Sequence, residues 1–249
     1  LNNKAIIIKK GQKVKFGYKT NKKNAILISN PLPLSFKKKT NTFTVSDGVY
    51  LFKAISLSKN LLTGVSLQTF LLQPKKGLNI PYSVYDDKFQ ANIYRKFIKK
   101  IENFKHDCIG LSFVQSSKII KSLKKLYPDK IFISKIENYM GYLNRKEIIS
   151  ESDAIMIDRG DLAAEVGNEK LTEYSENIIN DCKFFGKPII IATENFNSLI
   201  ENLSPSKSDI LNLDYYISKK VDYIMLSDET ATSKNWKNTL TWLYKFLRL

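Results

Sequence analysis

Histidine and cysteine are scarce in this chain of 249 residues, which has one histidine, His106, and two cysteines, Cys108 and Cys182. A single imidazole excludes a metal site built from several histidines. The cysteines lack C-x-x-C spacing, which excludes a zinc ribbon or a thioredoxin-like redox motif. Cys108 opens an apolar run and Cys182 lies in a helical pattern, so we expect both to be small buried hydrophobes in a reducing compartment.

Long apolar runs are also missing, since no stretch approaches the ~18 residues of a membrane span. The sequence therefore predicts no membrane segment and a protein that is not secreted. We expect it in the cytoplasm or in an organellar matrix of the plastid or apicoplast kind. The organellar alternative rests on the first residue, Leu1, because the lack of a starting methionine suggests a cleaved targeting segment or further residues before it.

Arginine is rare although the chain is strongly basic. Four of the 40 basic residues are arginine, and the formal net charge is +16 at pH 7. Arginine reads guanine through two hydrogen bonds and stacks on bases, so its scarcity argues against sequence-specific binding of nucleic acid. The abundant lysine predicts solvated faces with a weak attraction to polyanions.

The apolar pattern changes near residue 81 and predicts two domains, 1–81 and 82–249. The first has short β-branched and aromatic runs between polar turns, which is typical of an all-β module. Its predicted strands are 5–8, 13–18, 25–28, 42–45, 49–55 and 65–71. The second domain alternates five strand-like runs with helical patterns, which predicts a parallel sheet. Its predicted strands are 108–114, 130–134, 154–157, 188–192 and 222–226, and its predicted helices are 88–103, 117–126, 169–184, 206–219 and 236–247.

Three charged residues follow two of the predicted strands of the second domain. Lys135 and Glu137 come after the run 130–134, and Asp161 comes after the run 154–157. Carboxylates offer the hard oxygen ligands that Mg²⁺ prefers, and a lysine supplies a point charge for a phosphoryl group. These residue types therefore suit a site for a divalent metal and a phosphorylated anion. The alternative is a pair of surface loops with an incidental salt bridge.

Several short motifs surround these residues in a fixed order along the chain. They are Lys76-Gly-Leu-Asn-Ile-Pro81, Ser112-Phe-Val114, Lys135-Ile-Glu-Asn-x-x-Gly141, Arg159-Gly-Asp-Leu162, Gly186-Lys-Pro188 with Ile191-Ala-Thr193, and Met225-Leu-Ser-x-Glu-Thr-Ala231. Together these motifs resemble those of the pyruvate kinase family, over most of residues 1–235.

The resemblance implies an α/β fold that is an incomplete (β/α)8 TIM barrel with a small all-β lid domain. Residues 82–249 match barrel strands four to eight, and residues 1–81 match the lid. The family's first three barrel strands and its C-terminal domain have no counterpart in residues 1–249. An open five-stranded sheet exposes an unpaired edge. We therefore expect the missing strands to lie outside this sequence, or self-association or another chain to cover that edge.

The resemblance also implies a reaction, phosphoryl transfer from phosphoenolpyruvate to ADP, which gives pyruvate and ATP in glycolysis. Lys135 would bridge the moving phosphoryl group. Glu137 and Asp161 would be the protein ligands of Mg²⁺ or Mn²⁺. The resemblance implies K⁺ as a second cation, but its ligands would lie in the first strands and not in this chain.

Further residues are implied to bind the substrate and to move its proton. Backbone N–H groups at Arg159, Gly160 and Asp161 would receive the substrate carboxylate, and Lys76 is a substrate-binding candidate from the lid. Thr193 matches the family's hydroxyl near the carbon that gains a proton. Glu229 would belong to the proton relay beside it.

Departures from the family pattern are concentrated at this site. Asp158 replaces the small residue before Arg-Gly-Asp and brings negative charge near an anionic substrate. Asp228 replaces a glycine, Gln115 stands in place of an arginine, and Asn195 stands in place of a methionine. With the first strands missing as well, we expect that this chain by itself does not catalyse.

Two interpretations follow from these observations. In the first, the chain is part of an active pyruvate kinase, which the intact Lys135, Glu137, Asp161 and Thr193 favour. In the second, it is a catalytically inactive relative that serves as a structural component of a larger assembly, in an organelle or elsewhere, which the departures and the missing strands favour.

Overall fold

The structure is a computed structural model that describes residues 4–33, 35–36, 41–46, 48–58 and 60–247. Ten short strands occupy its first third. They are β1 (Ile6–Ile8), β2 (Lys13–Tyr18), β3 (Ala25–Ile28), β4 (Ser35–Phe36), β5 (Thr42–Val45), β6 (Tyr50–Ser58), β7 (Leu61–Ser66), β8 (Phe70–Leu72), β9 (Leu78–Asn79) and β10 (Ser83–Val84). Six of them form one sheet in the order β3-β2-β7-β6-β5-β9, while β1 pairs with β8 and β4 pairs with β10.

Aromatic packing holds the six-stranded sheet together. At the start of β2, the buried Val14 and Phe16 alternate with the more exposed Lys13 and Lys15, as expected of a strand with one face on a core. The rings of Phe43 and Phe52 stack with centroids 5.0 Å apart, and Phe16 meets both rings edge-on. This aromatic cluster gives the first third of the chain a core of its own.

The rest of the chain is a curled sheet of five parallel strands with helices. Its strands are β11 (Cys108–Leu111), β12 (Ile131–Ile136), β13 (Ala154–Asp158), β14 (Ile189–Ala192) and β15 (Tyr223–Ile224). Its helices are α1 (Asp87–Ile101), α2 (Ser117–Leu126), α3 (Tyr139–Leu143), α4 (Arg145–Glu151), α5 (Arg159–Val166), α6 (Asn168–Phe184), α7 (Lys207–Ser218), α8 (Asp228–Thr232) and α9 (Trp236–Leu247), with a short 3₁₀ helix at Asn197–Ile200. The strands lie in chain order, each parallel to the next. The predicted α/β fold with an incomplete barrel is therefore confirmed.

Two details of the sequence prediction are wrong. The predicted strand 65–71 is split between β7 and β8 by a turn, in which the Ser66 hydroxyl donates to the carbonyl oxygen of Gln68. Cys108 is exposed rather than buried, while Cys182 is buried as expected. Cys108 begins β11, which pairs only with β12 among the described strands, so this end of the sheet has no neighbour to cover it.

The described helices include none that is both long enough and apolar enough to cross a membrane. The boundary at residue 81 between two domains stays a prediction. The parallel arrangement of β11 to β15 matters more for function, because the carboxyl ends of parallel strands all lie at one edge of the sheet. The motif residues follow these strand ends.

Candidate active site

Lys135 lies between two carboxylates at the carboxyl ends of β12 and β13. Its Nζ is 2.9 Å from Oε2 of Glu137 and 2.9 Å from Oδ2 of Asp158. The Lys135 side chain is 18% exposed, and the Glu137 side chain is fully buried. Lys135, which the sequence placed at a strand end, is therefore largely enclosed, and the two neighbouring carboxylates counter its charge.

Glu137 is fixed through its other oxygen. Oε1 accepts a 2.7 Å hydrogen bond from the backbone N–H of Phe113, which follows β11. Oε2 faces Lys135 and has no further hydrogen-bond partner among the described residues. Phe113 itself has a left-handed φ of 57°, which turns its N–H toward Glu137 at the end of β11. The local backbone thus holds one oxygen and leaves the other directed into the site.

Asp161 brings a third carboxylate to the same place. It lies in the first turn of α5, and its Oδ1 accepts a 2.8 Å hydrogen bond from Nδ2 of Asn79 in β9. One oxygen each of Glu137, Asp158 and Asp161 lie within 4.8 Å of one another. Two ligands of one Mg²⁺ are separated by at most about twice the metal–oxygen distance of 2.0–2.1 Å, so small side-chain rotations bring these oxygens into range. The donor set of hard carboxylate oxygens therefore fits a divalent cation.

Burial and neighbouring charges both shift the pKa values of Glu137 and Lys135. Burial raises the pKa of Glu137 to about 8, against the lowering effect of Lys135, and the nearby Asp161 and Asp158 raise it further. Burial alone would lower the pKa of Lys135, but the neighbouring Glu137 and Asp158 outweigh it and raise that pKa. Burial thus disfavours the ionised form of Glu137, and a cation bound beside it would favour that form.

Arg159 is directed away from this cluster and organises the loop after β14. Its guanidinium is buried and donates four hydrogen bonds, and it lies 5.1 Å from the ring centroid of Tyr216. The acceptors are the carbonyl oxygens of Ala192 and Thr193 and the side-chain oxygens of Asn195 and Asn212. The side chain of Arg159 is thereby committed to the protein, which leaves only its backbone for the predicted substrate contact.

The loop held by Arg159 has a strained backbone. Thr193, Glu194 and Phe196 all have left-handed φ values, of 63°, 51° and 58°, and this is especially unusual for the β-branched Thr193. The Thr193 hydroxyl accepts a 3.0 Å hydrogen bond from the backbone N–H of Gly160. The structure therefore brings Thr193 beside the start of α5. It also gives the Gly160 N–H, one of the predicted carboxylate-binding groups, an internal partner.

Two candidate residues lie further out. Lys76 is exposed, and it lines a cavity of about 920 Å³ that Asp161 lines as well. Glu229 is exposed in the first turn of α8, after β15, and Ser227 caps that helix. The contacts given above for the carboxylate cluster do not include Glu229. The structure thus brings Lys76 to the cavity and Glu229 to the same edge of the sheet.

Two polar residues for which the sequence predicted no role connect the strand ends. Gln115 is buried and bonds to the backbone of Ser83 and Tyr85 and to Asn138. Asn195 donates to the carbonyl oxygens of β14 and of Met225, so it joins the ends of the last two strands. Both residues are departures from the family motif, and their roles as internal connectors depend on contacts that no local pattern reveals.

Glu165 ties the segment after residue 81 to the loop that follows Glu137. Its Oε2 accepts hydrogen bonds of 3.2 Å from the backbone N–H groups of Tyr82 and Tyr139, and the rings of these two tyrosines meet edge-on. Burial raises the pKa of Glu165 to about 7, against the lowering effect of the two hydrogen bonds. One buried carboxyl group thus joins the two segments beside the site.

The sequence matches known proteins over most of its length. Residues 1–239 match the model of the family "Pyruvate kinase, barrel domain". The pyruvate kinase of Eimeria tenella is 32% identical over 209 residues, which are 80% of this chain and 38% of that protein. The pyruvate kinase of Thermotoga maritima is 29% identical over 202 residues, 80% of this chain and 43% of that protein. The chain therefore spans less than half the length of these curated relatives.

Solved structures agree with the fold. The pyruvate kinase of Pyrobaculum aerophilum superposes with a TM-score of 0.79 at 21% identity, covering 99% of this chain and 56% of that one. A pyruvate kinase of Cryptosporidium parvum gives a TM-score of 0.78 at 24% identity, covering 98% of this chain and 52% of that one. At such identities the likeness concerns the fold, and the family follows from the sequence match. This chain belongs to the pyruvate kinase family.

Proposed function

We propose that this chain supplies the phosphoenolpyruvate-binding and metal-binding half of a pyruvate kinase site. The reaction is phosphoryl transfer from phosphoenolpyruvate to ADP, which gives pyruvate and ATP. The observation that carries the proposal is the convergence of Lys135, Glu137 and Asp161 at the carboxyl ends of two adjacent strands. A barrel of parallel strands holds its chemistry at this edge.

Glu137 and Asp161 are the proposed protein ligands of Mg²⁺ or Mn²⁺. When bound, the cation supplies Lewis acidity and orients the phosphoryl and enolate oxygens. Lys135 presents its ammonium group to the phosphoryl group from an enclosed position, where a charge acts more strongly than in water. The Phe113 N–H holds Glu137 in place during this step.

The substrate carboxylate and the proton at the reacting carbon require other groups. In our proposal, backbone N–H groups of the α5 start at Arg159, Gly160 and Asp161 bind the carboxylate, after the Thr193 hydroxyl releases the Gly160 N–H. Thr193 then faces the carbon that gains a proton, and Glu229 relays that proton. Lys76 contacts the substrate from the rim of the cavity that it shares with Asp161.

The other half of the site is proposed to come from outside residues 1–249. In this proposal, groups beyond the chain bind K⁺ and complete the nucleotide side, and residues 1–81 close over the site as a lid domain. Among the described strands, β11 pairs only with β12, and this supports the proposal that further strands, a second copy or another chain pairs at its other edge. The cysteine usage supports a proposed location in a reducing compartment, either the cytoplasm or an organellar matrix.

A second candidate function is an inactive structural subunit. It is favoured by the ion pair between Lys135 and Asp158, because the lysine that should meet a phosphoryl group is already neutralised by the protein. In this alternative the cluster stabilises the fold, and the open sheet edge docks into a larger assembly.

A turnover assay separates the two functions. Pyruvate formation from phosphoenolpyruvate and ADP is measured on the complete polypeptide with Mg²⁺ and K⁺. We expect activity that Lys135→Met lowers by on the order of a thousandfold or more, through lost charge stabilisation of the transition state. Lys125→Met, which removes an exposed lysine of α2, serves as the matched control and should leave the rate unchanged. Clear activity excludes the structural subunit, and no turnover in the wild type excludes the enzyme.

A further inference from the structure

We propose that Asp158 is a third carboxylate ligand of the divalent cation, which raises the affinity of this site for the cation when no phosphorylated substrate is bound. The inference rests on the proposed function, in which Glu137 and Asp161 are ligands. It assigns a metal-binding role to Asp158, whereas the sequence alone suggested only that its negative charge lies near an anionic substrate.

The orientation of the Asp158 side chain is the first support. Asp158 ends β13 and occupies the N-cap position of α5, where an aspartate normally accepts a hydrogen bond from the first turn of the helix. Here its side chain makes no such capping bond. It is turned into the site instead, with Oδ2 2.9 Å from Lys135. The side chain thus gives up its usual local role.

The enclosure of the cluster is the second support. Asp158 is 6% exposed, and its oxygen lies within 4.8 Å of an oxygen of Glu137 and of Asp161. In the described part of the chain, Lys135 contacts two of these carboxylates, Glu137 and Asp158. Buried charges of one sign that lie close together require a counter-ion or a proton. A divalent cation can lie between the three oxygens, and carboxylate oxygens are the donors that it prefers.

Asp158 also affects how tightly the cation binds before phosphoenolpyruvate does. A site with two carboxylates keeps several positions of the cation for substrate oxygens and gains affinity when substrate binds. A third carboxylate supplies part of that coordination from the protein. We therefore expect this chain to bind Mn²⁺ without phosphoenolpyruvate, and to bind it more weakly when Asp158 is neutralised.

The test is Mn²⁺ binding to the full chain without substrate, followed by the electron paramagnetic resonance signal of free Mn²⁺. Asp158→Asn keeps the shape of the side chain and removes its charge, and we expect it to weaken Mn²⁺ binding about tenfold or more. Glu137→Gln and Asp161→Asn should each weaken binding as well. Glu173→Gln removes an exposed carboxylate of α6 and should leave the affinity unchanged.

The outcomes separate this inference from the proposed function. If Glu137→Gln and Asp161→Asn weaken binding while Asp158→Asn does not, the third ligand is refuted and the two-ligand site stands. If the wild type binds Mn²⁺ only when phosphoenolpyruvate is present, the third ligand is refuted and the two-ligand site stands. If it does not bind Mn²⁺ even with phosphoenolpyruvate, both the proposed metal site and the third ligand are refuted. Asp158→Ala is the second variant, and circular dichroism checks that each variant is folded. Unchanged affinity in either folded Asp158 variant overturns the inference.

Discussion

Replacing Lys135 with methionine should destabilise the metal-free protein as well as remove activity. Lys135 is enclosed at the end of β12, and its Nζ lies 2.9 Å from a carboxylate oxygen of Glu137 and of Asp158. Removing one partner of a buried ion pair costs about 3–5 kcal/mol, because the other charge is left buried without compensation. Glu137 can take up a proton, since its pKa is already raised to about 8. Because protonation of Glu137 reduces the penalty, we expect a loss of stability near the lower end of that range, at about 3 kcal/mol.

The assay is urea unfolding followed by far-ultraviolet circular dichroism, at pH 8 with a chelator present. Lys125→Met should change the free energy of unfolding by less than about 0.5 kcal/mol, as is usual for exposed sites. The double variant Lys135→Met/Asp158→Asn should recover at least ~1 kcal/mol of the loss, because it removes one of the stranded charges. A Lys135→Met protein as stable as the wild type refutes the argument that these carboxylates depend on Lys135.

Three further predictions concern the groups around the cluster. The pKa of Glu165 is raised in the folded state, so ionisation of this group disfavours folding. The free energy of unfolding should therefore fall as the pH rises from about 4.5 to about 7. Glu165→Gln should flatten that pH dependence in urea titrations across this range. Asn79→Ala removes the hydrogen bond to Asp161 and should cost about 1.5–3 kcal/mol, with faster hydrogen exchange around β9. Arg159→Lys cannot reproduce the buried fork of hydrogen bonds, and it should lower the free energy of unfolding by at least ~2 kcal/mol; the exposed Arg95→Lys should have no effect.

The sequence predicted helices and strands correctly where the spacing of apolar residues stayed regular along the whole element. Strands β2, β3 and β5 and helix α2 agree with their predicted bounds. The run 65–71 failed because its turn is closed by the Ser66 hydroxyl rather than by glycine or proline. Such a bond between a side chain and a nearby carbonyl leaves no clear signal in a β-branched and apolar segment.

At the candidate site, sequence reasoning identified residue types but not their pairing. The motif around Lys135 and Glu137 indicated a charged site, and these residues do meet at one edge of the sheet. The contact between Asn79 and Asp161 joins residues 82 positions apart, which only the tertiary fold brings together. The change to Asp158 was visible in the sequence, but its ion pair with Lys135 depends on the register of β12 against β13.

The long sequence separations within the cluster also bear on how the protein folds. Asn79, Phe113, Glu137 and Asp161 come from four distant segments, and contacts of this kind require the closure of long loops. We therefore expect the cluster to form after the transition state for folding. A cation that binds only the completed cluster should then leave the refolding rate nearly unchanged and slow unfolding, so that metal loading prolongs the lifetime of the native state.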